Sequence, residues 1–438
     1  MNSLRGAAEA IARQAIDAVR PGPAVSAALQ RRPVSGPVRV LGAGKAAAAM
    51  AAAVESVCGD QVRGGLVVVK DGHGLPLQRI ECVEASHPVP DARSLAAGER
   101  MRSTVSGMAD DETLLFLLSG GASALMDVLP DGFDLSDLQT VTRALLAAGC
   151  DIGDVNVVRK HLSRLKGGQL ALACRRPVRL LVLNDVMSND LTLVGSGPLV
   201  GDPSTRQQAA TLLSKVGLSR YEPYLTETPK PGDPRLPETE LNNVGDNGHL
   251  KQAARIAATK TGFQPLNGGF PIDGEAVEAA IELAGMAIYL RELVSDPQKL
   301  SDDLRAMRLS ADLSKLLPAC FVAGGETTVT LRGTGRGGRC TEMALGFAMA
   351  AAGREGLLFL AAASDGTDGP TDAAGGFADG TTVARAQALG LSVDEALANN
   401  DSYTLLEKLG DLYRTGPTLT NVNDLYLVLI ARPGSFHI

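Results

Sequence analysis

Short, continuous apolar runs recur along the chain, and nearly every one ends in glycine or a cluster of small polar residues. VRVLGAG (38–44), GLVVVKDG (65–72), TLLFLLSGG (113–121) and VRLLVLNDV (178–186) carry this form in the first half. Val/Leu runs without strict alternation predict strands covered on both faces. Between them lie helical patterns, such as KAAAAMAAAVESV after the first run. Strands separated by helices imply parallel pairing through right-handed crossovers, hence a doubly wound α/β domain. The opening residues, MNSLRGAAEAIARQAIDAVRP, have the three-to-four apolar spacing of an amphipathic helix.

From 221 to 243 the pattern lapses. YEPYLTETPKPGDPRLPETELNN holds five prolines and no apolar periodicity, so it reads as a linker or a meandering surface connection. The alternation then resumes. HLKQAARIAATKTG, GEAVEAAIELAGMAIYLRELV and GRCTEMALGFAMAAAG predict helices; ACFVAGGETTVTLRG (319–333), GLLFLAAASDG (356–366) and NDLYLVLIA (423–431) predict strands. This gives a second α/β domain, with domains expected at 1–240 and 241–438.

Composition narrows the function classes. Aromatics are 3% with no tryptophan, which suits closely packed α/β layers and not a base-stacking surface. A net charge of −7 argues against a nucleic-acid or anionic-membrane partner, so any anionic ligand needs a local basic cluster. The six cysteines form no CxxC pair, which disfavours structural zinc and a disulfide framework and points to the cytoplasm. No signal-peptide core is present, and no window approaches the roughly 18 uninterrupted apolar residues of a membrane span.

In an open parallel sheet, ligands bind beyond the carboxyl ends of the strands, and the chemistry-bearing clusters fall there. GAGKAA (42–47) places Gly42, Gly44 and Lys45 at a strand-to-helix turn, where backbone amides and a cation can meet an anion. Its Gly42-x-Gly44-x-x-Ala47 spacing also resembles a dinucleotide fingerprint, a weak signal by itself. SGGASAL (119–125) offers Ser119, Gly120, Gly121 and Ser123 as a second anion cradle; it lacks the GK[ST] ending of a Walker A loop. VRKHLSRLKGGQLA (158–171) is the densest basic segment; most such runs are solvated helix faces, but Lys166 precedes a Gly-Gly break. LNDVMSNDLTLVGSGPLVGDPST (183–205) puts Asp185 at a strand end, followed by Asp190 and the Ser196-Gly197 turn; Asp185 suits a metal or proton-accepting role and equally a helix cap.

GTGRGGRCTE (333–342) brings Arg336 and Arg339 to a glycine-rich helix entry, where cations oppose the macrodipole unless an anion is present. SDGTDGPTDAAGG (364–376) follows a buried strand with Asp365, Asp368 and Asp372. Aspartates at a strand end suit Mg2+, which takes few carboxylates plus substrate phosphates. Anion cradles, cations and aspartates together suit phosphoryl transfer, which is mostly positioning and charge neutralisation. Neither GxSxG nor HExxH occurs.

These blocks, with SHPVPD (86–91), GGETTVTLRGTGRGGR (324–339) and TGPTLTNVND (415–424), resemble the class II glycerate kinases, which join an N-terminal glycerate-kinase domain to a C-terminal MOFRL-type domain. The blocks run in order over nearly the whole chain. The resemblance implies a Rossmann-like parallel-sheet domain, a MOFRL-type α/β domain, a site in the cleft between them, and ATP- and Mg2+-dependent phosphorylation of D-glycerate to 2-phosphoglycerate. Carried onto this sequence, Lys45, Arg339 and Asp365 are the expected catalytic residues. Gly42, Gly44, Ser119, Gly120, Gly121, Ser123, Lys166, Ser196, Gly197, Glu326, Arg336 and Asn423 are expected to bind substrate or nucleotide, and Asp185, Asp190 and Asp368 the metal. The partner is then a small hydroxy acid, with a homodimer left open.

Three blocks depart from the family pattern. SDVPGDDP is here NDVMSNDL, with Asn184, Met187 and Ser188 in place of Ser, Pro and Gly. GGRNxE has Cys340 for asparagine, and SGGGSAL has Ala122 for the third glycine. Two other readings stand beside the kinase. One is an NAD(P)H-dependent hydroxypyruvate reductase, a label carried by similar sequences and supported here by the fingerprint spacing. The other is a non-enzymatic sugar-phosphate-binding regulator built on the same anion loops.

Overall fold

The computed structural model describes residues 3–186, 190, 193–269, 271–295, 316–432, 434 and 435. The chain opens with helix α1 (Leu4–Ala18) and divides into two compact units. One is 21–246; the other joins 1–20 to 247–438.

The 21–246 unit is built on strands β1 (Val38–Ala43), β2 (Val62–Lys70), β3 (Ile80–Ala85), β4 (Thr113–Leu118), β5 (Val178–Leu183) and β6 (Thr239–Gly245). They pair in parallel in the order β3-β2-β1-β4-β5-β6. The central strands are buried along nearly their whole length, as their Val/Leu content requires. Among the described residues the helices are α2 (Pro21–Arg31), α3 (Ala47–Cys58), α4 (Ala92–Ser106), α5 (Ala122–Leu125), α6 (Leu135–Ala147), α7 (Ile152–His161), α8 (Gln169–Ala173) and α9 (Arg206–Lys215). Successive strands add on one side of β1 up to β3 and then on its other side from β4. That reversal opens a crevice beyond the carboxyl ends of β1 and β4.

The proline-rich stretch is not a linker between the units. Tyr221 packs edge-on against Phe133 with centroids 5.4 Å apart, and β6 completes the sheet beside β5. As an edge strand β6 needs less apolar character, which is why TELNNVG shows no strand signal.

The second unit has strands β7 (Gln264–Asn267), β8 (Ala319–Gly325), β9 (Leu357–Ala363), β10 (Gly375–Asp379), β11 (Leu412–Tyr413) and β12 (Asp424–Ile430), ordered β11-β10-β9-β12-β8-β7. Among the described strands of this sheet, β7 and β8 pair in parallel and the other neighbours antiparallel. Helices α10 (Asn247–Lys260), α11 (Ala276–Ser295), α12 (Arg339–Ala350), α13 (Thr382–Ala388), α14 (Val393–Ala398) and α15 (Ser402–Leu409) belong to this unit. Phe321, Phe359, Tyr426 and Val428 share a core with α11 and α12.

The alternate positions Leu358, Leu360, Leu425, Leu427 and Leu429 are equally buried, so the sheet is covered on both faces. α1 contacts β9, β12 and α10, with Leu4, Ile11 and Ile16 in its buried stripe. That packing carries residues 1–20 into the second unit, whereas the sequence pattern grouped them with the first domain. The division falls after Asp246 because β6 belongs to the first sheet.

Candidate functional site

The turns after β1 and β4 lie side by side at the crevice of the 21–246 unit. Ala43 is in register with Leu118, and the Ser119 amide donates to the Ala43 carbonyl at 3.1 Å. The Lys45 amide donates to the Gly120 carbonyl at 2.9 Å, and the Ala46 amide to Ser119 Oγ at 3.1 Å. Gly44 has φ +128°, and a Cβ there would lie 2.2 Å from Ser119 Oγ; one on Gly42 would lie 2.6 Å from the Leu117 carbonyl oxygen. Gly42, Gly44 and Ser119 therefore lock the two turns together. The fingerprint glycines face β4 and its turn, not open space for a dinucleotide pyrophosphate.

Lys45, Gly121 and Ser123 are the parts of these turns that reach the surface. The amides of Gly120 and Gly121 make no hydrogen bond among the described residues. A Cβ on Gly121 (φ +86°) would meet the His87 ring at 3.0 Å and Lys45 Cγ at 3.6 Å. His73 Nδ1 lies 3.2 Å from the Lys45 carbonyl oxygen. Burial, reinforced by Lys45, Lys70 and His73, pushes His87 down to about 4, so its ring is neutral at pH 7. Two amides beside a lysine are the groups from which anion sites are commonly built. α5 is a single turn, so amides and side chains here do the work expected of a helix N-terminus.

Ser123 Oγ lies 2.9 Å from Ser196 Oγ, which donates to Asn156 Oδ1 at 3.1 Å. Gly195, Ser196 and Gly197 have φ of 57°, 59° and 58°, and the turn is held by Gly167 and Gly168 amides donating to the Ser196 and Gly197 carbonyls. A buried serine in the left-handed region is a strained conformation that its surroundings must enforce. Ala122, the departure in SGGASAL, fits here: its methyl is 3.1 Å from where a Cβ on Gly195 would stand.

Lys166 is 1% exposed and ion-paired with the buried Asp127, which also accepts from Ser163 Oγ at 2.6 Å and the Val128 amide at 2.9 Å. Burial lowers the ammonium's pKa, and Asp127 opposes it. Lys166 is thus a buried partner of Asp127 near the site, not a cation held out to solvent. Asp185 follows β5 and is part-buried, while Asp190 is exposed. Met187, Ser188 and Asn189, between them, lie outside the described residues.

In the second unit, antiparallel pairing sets Asp424, first residue of β12, beside Gly325 at the end of β8 and Ala363 at the end of β9. Arg339, first in α12, donates from Nε to Asp424 Oδ2 at 2.6 Å and from Nη2 to Oδ1 at 3.0 Å. Its Nη1 donates to Glu326 Oε1 at 2.8 Å, and Tyr426 Oη donates to Asp424 Oδ2 at 3.0 Å. Burial works against the guanidinium charge, but Asp424 outweighs it and holds Arg339 protonated above its ordinary value. Glu326 is exposed, so one edge of Arg339 faces a wet carboxylate and the other a fully buried one.

The neighbouring aspartates divide. Asp368, expected at the metal, instead caps α12: it accepts from the Cys340 and Thr341 amides at 3.0 and 2.8 Å and from Thr341 Oγ1 at 2.8 Å. Burial pushes it up to about 6 against the pull of those bonds. Cys340, where the family pattern has asparagine, is buried and joins this cap through its backbone. Asp365 is part-buried, and its Oδ1 accepts from the Thr367 amide at 3.0 Å and Thr367 Oγ1 at 3.1 Å. Asp372 bonds Tyr403 at 2.6 Å at the surface. Arg336 lies 4.5 Å over the Tyr403 ring, away from the Arg339 cluster's hydrogen bonds. Asn423 is buried with φ 63°, its carbonyl accepting from the Ser364 amide at 3.2 Å.

Sequence reasoning missed Asp424, Tyr426, His87 and Asp127. Asp424 and His87 stand inside the TGPTLTNVND and SHPVPD blocks, so the signal was present without a role attached. Among the described residues no three His, Cys, Asp or Glu side chains gather to hold a metal, and no helix is long and apolar enough to cross a membrane.

Residues 7–227 match a family described as a domain of unknown function, DUF4147, and residues 319–424 match the MOFRL family. The chain is 38% identical over 434 residues to a D-glycerate 2-kinase of Thermotoga maritima, covering 98% of this chain and 99% of that protein. It is 40% identical over 402 residues to a putative hydroxypyruvate reductase of Agrobacterium vitis, 89% of this chain and 86% of that one. The crystal structure of glycerate kinase from Thermotoga maritima matches with a TM-score of 0.86 at 38% identity, covering 98% of this chain and 99% of that chain.

Proposed function

The chain belongs to the glycerate kinase family and is a kinase, and from that premise we propose that it transfers the terminal phosphoryl group of ATP to D-glycerate, giving 2-phosphoglycerate in a Mg2+-dependent reaction. The observation that carries this reading is the junction of Lys45 with the Gly120 and Gly121 amides beyond β1 and β4, which among the described residues have no partner. Such a site stabilises charge on phosphate oxygens, which is most of what phosphoryl transfer asks of a protein.

In the proposed step the glycerate 2-hydroxyl oxygen bonds to the terminal phosphorus as the bond to the ADP oxygen breaks. The hydroxyl proton leaves with the attack, and Asp365 is the candidate acceptor. Lys45 would neutralise a phosphoryl or carboxylate oxygen. Arg339, its geometry fixed by Asp424 and Glu326, would offer its charge to a phosphate-bearing ligand. Mg2+ takes one or two protein carboxylates and completes its shell from phosphates and water. Asp185 fits that modest demand; Asp368, already engaged by α12, does not. Bound there, the ion would supply charge neutralisation. Six unpaired thiols agree with a cytoplasmic enzyme.

The test is release of ADP by the purified full chain, followed with D-glycerate and MgATP present together and singly. The kinase reading requires ADP release that needs both. Oxidation of NADH by hydroxypyruvate, without acceptor-dependent ADP release, would replace it with the reductase reading.

A further inference from the structure

Asn247 opens α10 and is the first residue of the second unit after the chain leaves β6. An asparagine at a helix start ordinarily caps it, the side-chain oxygen accepting from backbone amides. Here the amide is turned the other way. Asn247 is buried, and its Nδ2 donates to the Val422 carbonyl at 2.9 Å and to the Asp424 carbonyl at 3.0 Å. Its Oδ1 is buried with no hydrogen-bond partner among the described residues. The opposite orientation would set that oxygen against two carbonyls, so the two donors decide the arrangement and the acceptor goes unmatched. Gly324, near the end of β8, makes the room: a Cβ there would stand 2.4 Å from Oδ1.

The two gripped carbonyls flank Asn423, which is buried with φ 63°. In extended backbone, carbonyls two residues apart lie ~6.8 Å from one another. Contacts of 2.9 and 3.0 Å to a single nitrogen span about 5.9 Å at most, less than that extended repeat. The grip therefore holds Asn423 out of the extended form that β12 adopts from the next residue on. Leu419 is also left-handed, at φ 61°. Non-glycine residues stay in that region only where their surroundings over-determine them.

The gripped segment carries both halves of the second unit's polar cluster. Asp424 takes Arg339 Nε and Nη2. The Asn423 carbonyl accepts from the Ser364 amide at 3.2 Å, and the Val422 amide donates to Ser364 Oγ at 2.9 Å. The Thr418 amide donates to the Asp365 carbonyl at 3.3 Å. Residues 418–424 thus join the anchor of Arg339 to the backbone that bears Asp365, and Asn247 grips them where the two meet.

We propose that Asn247 is a positioning residue: by holding the carbonyls on either side of Asn423, it sets the direction of Arg339 and the placement of Asp365. The inference rests on the reading that Arg339 and Asp365 act on the reacting groups.

The test uses the full chain with Asn247→Asp, which keeps the shape and loses the paired donors, and Gly324→Ala, which crowds the amide and leaves Asn247 in place. Asn247→Ala, which removes the unmatched oxygen together with the donors, decides the matter if the aspartate variant does not fold. Steady-state kinetics with D-glycerate and MgATP is combined with NMR of arginine-labelled protein, in which Arg339→Lys identifies the Arg339 Nε–H signal. The variants should lose roughly 10- to 100-fold in kcat, the scale for a slightly misplaced group, with each KM within about threefold of wild type. The Arg339 Nε–H signal, donated to Asp424 in the wild type, should shift or broaden.

An asparagine that only stabilised the unit would lower the thermal midpoint and leave the rest alone. Wild-type kcat, or an unmoved Arg339 signal, in the folded variants overturns the proposal while the kinase reading stands. If the wild type phosphorylates no glycerate, the kinase reading falls and the Arg339 signal still decides: moved in the variants, the positioning stands; unmoved, it falls as well.

Discussion

Asp424 holds Arg339 by both ends of its guanidinium edge, at 2.6 and 3.0 Å, although 85 residues separate them in sequence. The pairing follows from topology: β12 runs antiparallel between β8 and β9, so its first residue arrives beside the end of β8 and the start of α12. Tyr426, two residues on and facing the same way, donates to the same carboxylate. Arg339 is thereby fixed in direction, and only its Glu326 side is exchangeable with solvent.

Replacing Asp424 with alanine leaves a partly buried guanidinium held only by the exposed Glu326. The expected loss is about 3 kcal/mol, the scale for breaking one side of a buried ion pair, read as a lower urea midpoint for the transition of that unit. Glu326→Gln, at the exposed end, should cost less than ~1 kcal/mol. Equal losses in the two variants would mean that the buried grip does not dominate.

Lys45→Ala should reduce turnover by at least ~100-fold, the scale for removing one preorganised group from a charge-stabilising site. The fold should survive, since Lys45 reaches the surface and its backbone bond to Gly120 does not depend on the side chain. Steady-state kinetics with circular dichroism as control reads this directly; near-wild-type turnover would remove the Gly120–Gly121 turn from the phosphate site.

His87 gives the site a pH signature. Its folded pKa of about 4 lies below the ordinary 6.5 because burial and then Lys45, Lys70 and His73 oppose its charge. Between those values the unfolded chain binds a proton that the folded chain refuses, so stability falls as pH drops below 6.5 and the loss is complete near 4. In a proton NMR titration His87 should titrate near 4, and Lys45→Ala should move it upward. A His87 pKa at its ordinary value would contradict the close placement of these groups around Gly121.

Lys166 and Asp127 pose the opposite case, a buried pair whose first role is structural. Lys166→Met alone should cost roughly 3–5 kcal/mol by stranding Asp127. The double change Lys166→Met with Asp127→Leu should recover much of that, measured by denaturant unfolding. Additive losses would show that the two residues do not act as a pair.

How much of this was legible in the sequence depended on whether a residue's role is local. The turns after VRVL and TLLFLL announced themselves, because an apolar strand that stops at glycine and a polar residue has few other readings. The strands of the first sheet were legible for the same reason, and β6 was not, because an edge strand needs no apolar run. For Asp368 and Lys166 the sequence did not show the partners that packing brings to them. Each looks solvent-directed in its own segment, and only tertiary packing supplies the α12 amides for one and Asp127 for the other. α1 was recognised as amphipathic, but periodicity does not say which sheet receives its apolar face. Asp424 was hidden by its position, since the strand it begins is otherwise apolar and the residue reads as a turn.

The central claim is the reaction itself, and the most direct measurement is phosphorus NMR of the product formed from D-glycerate and MgATP by the purified full chain. A new monoester resonance belonging to 2-phosphoglycerate, growing in step with ADP and absent when Lys45→Ala replaces the wild type, is the predicted result. Unchanged ATP, or a monoester at the 3-position alone, would contradict it.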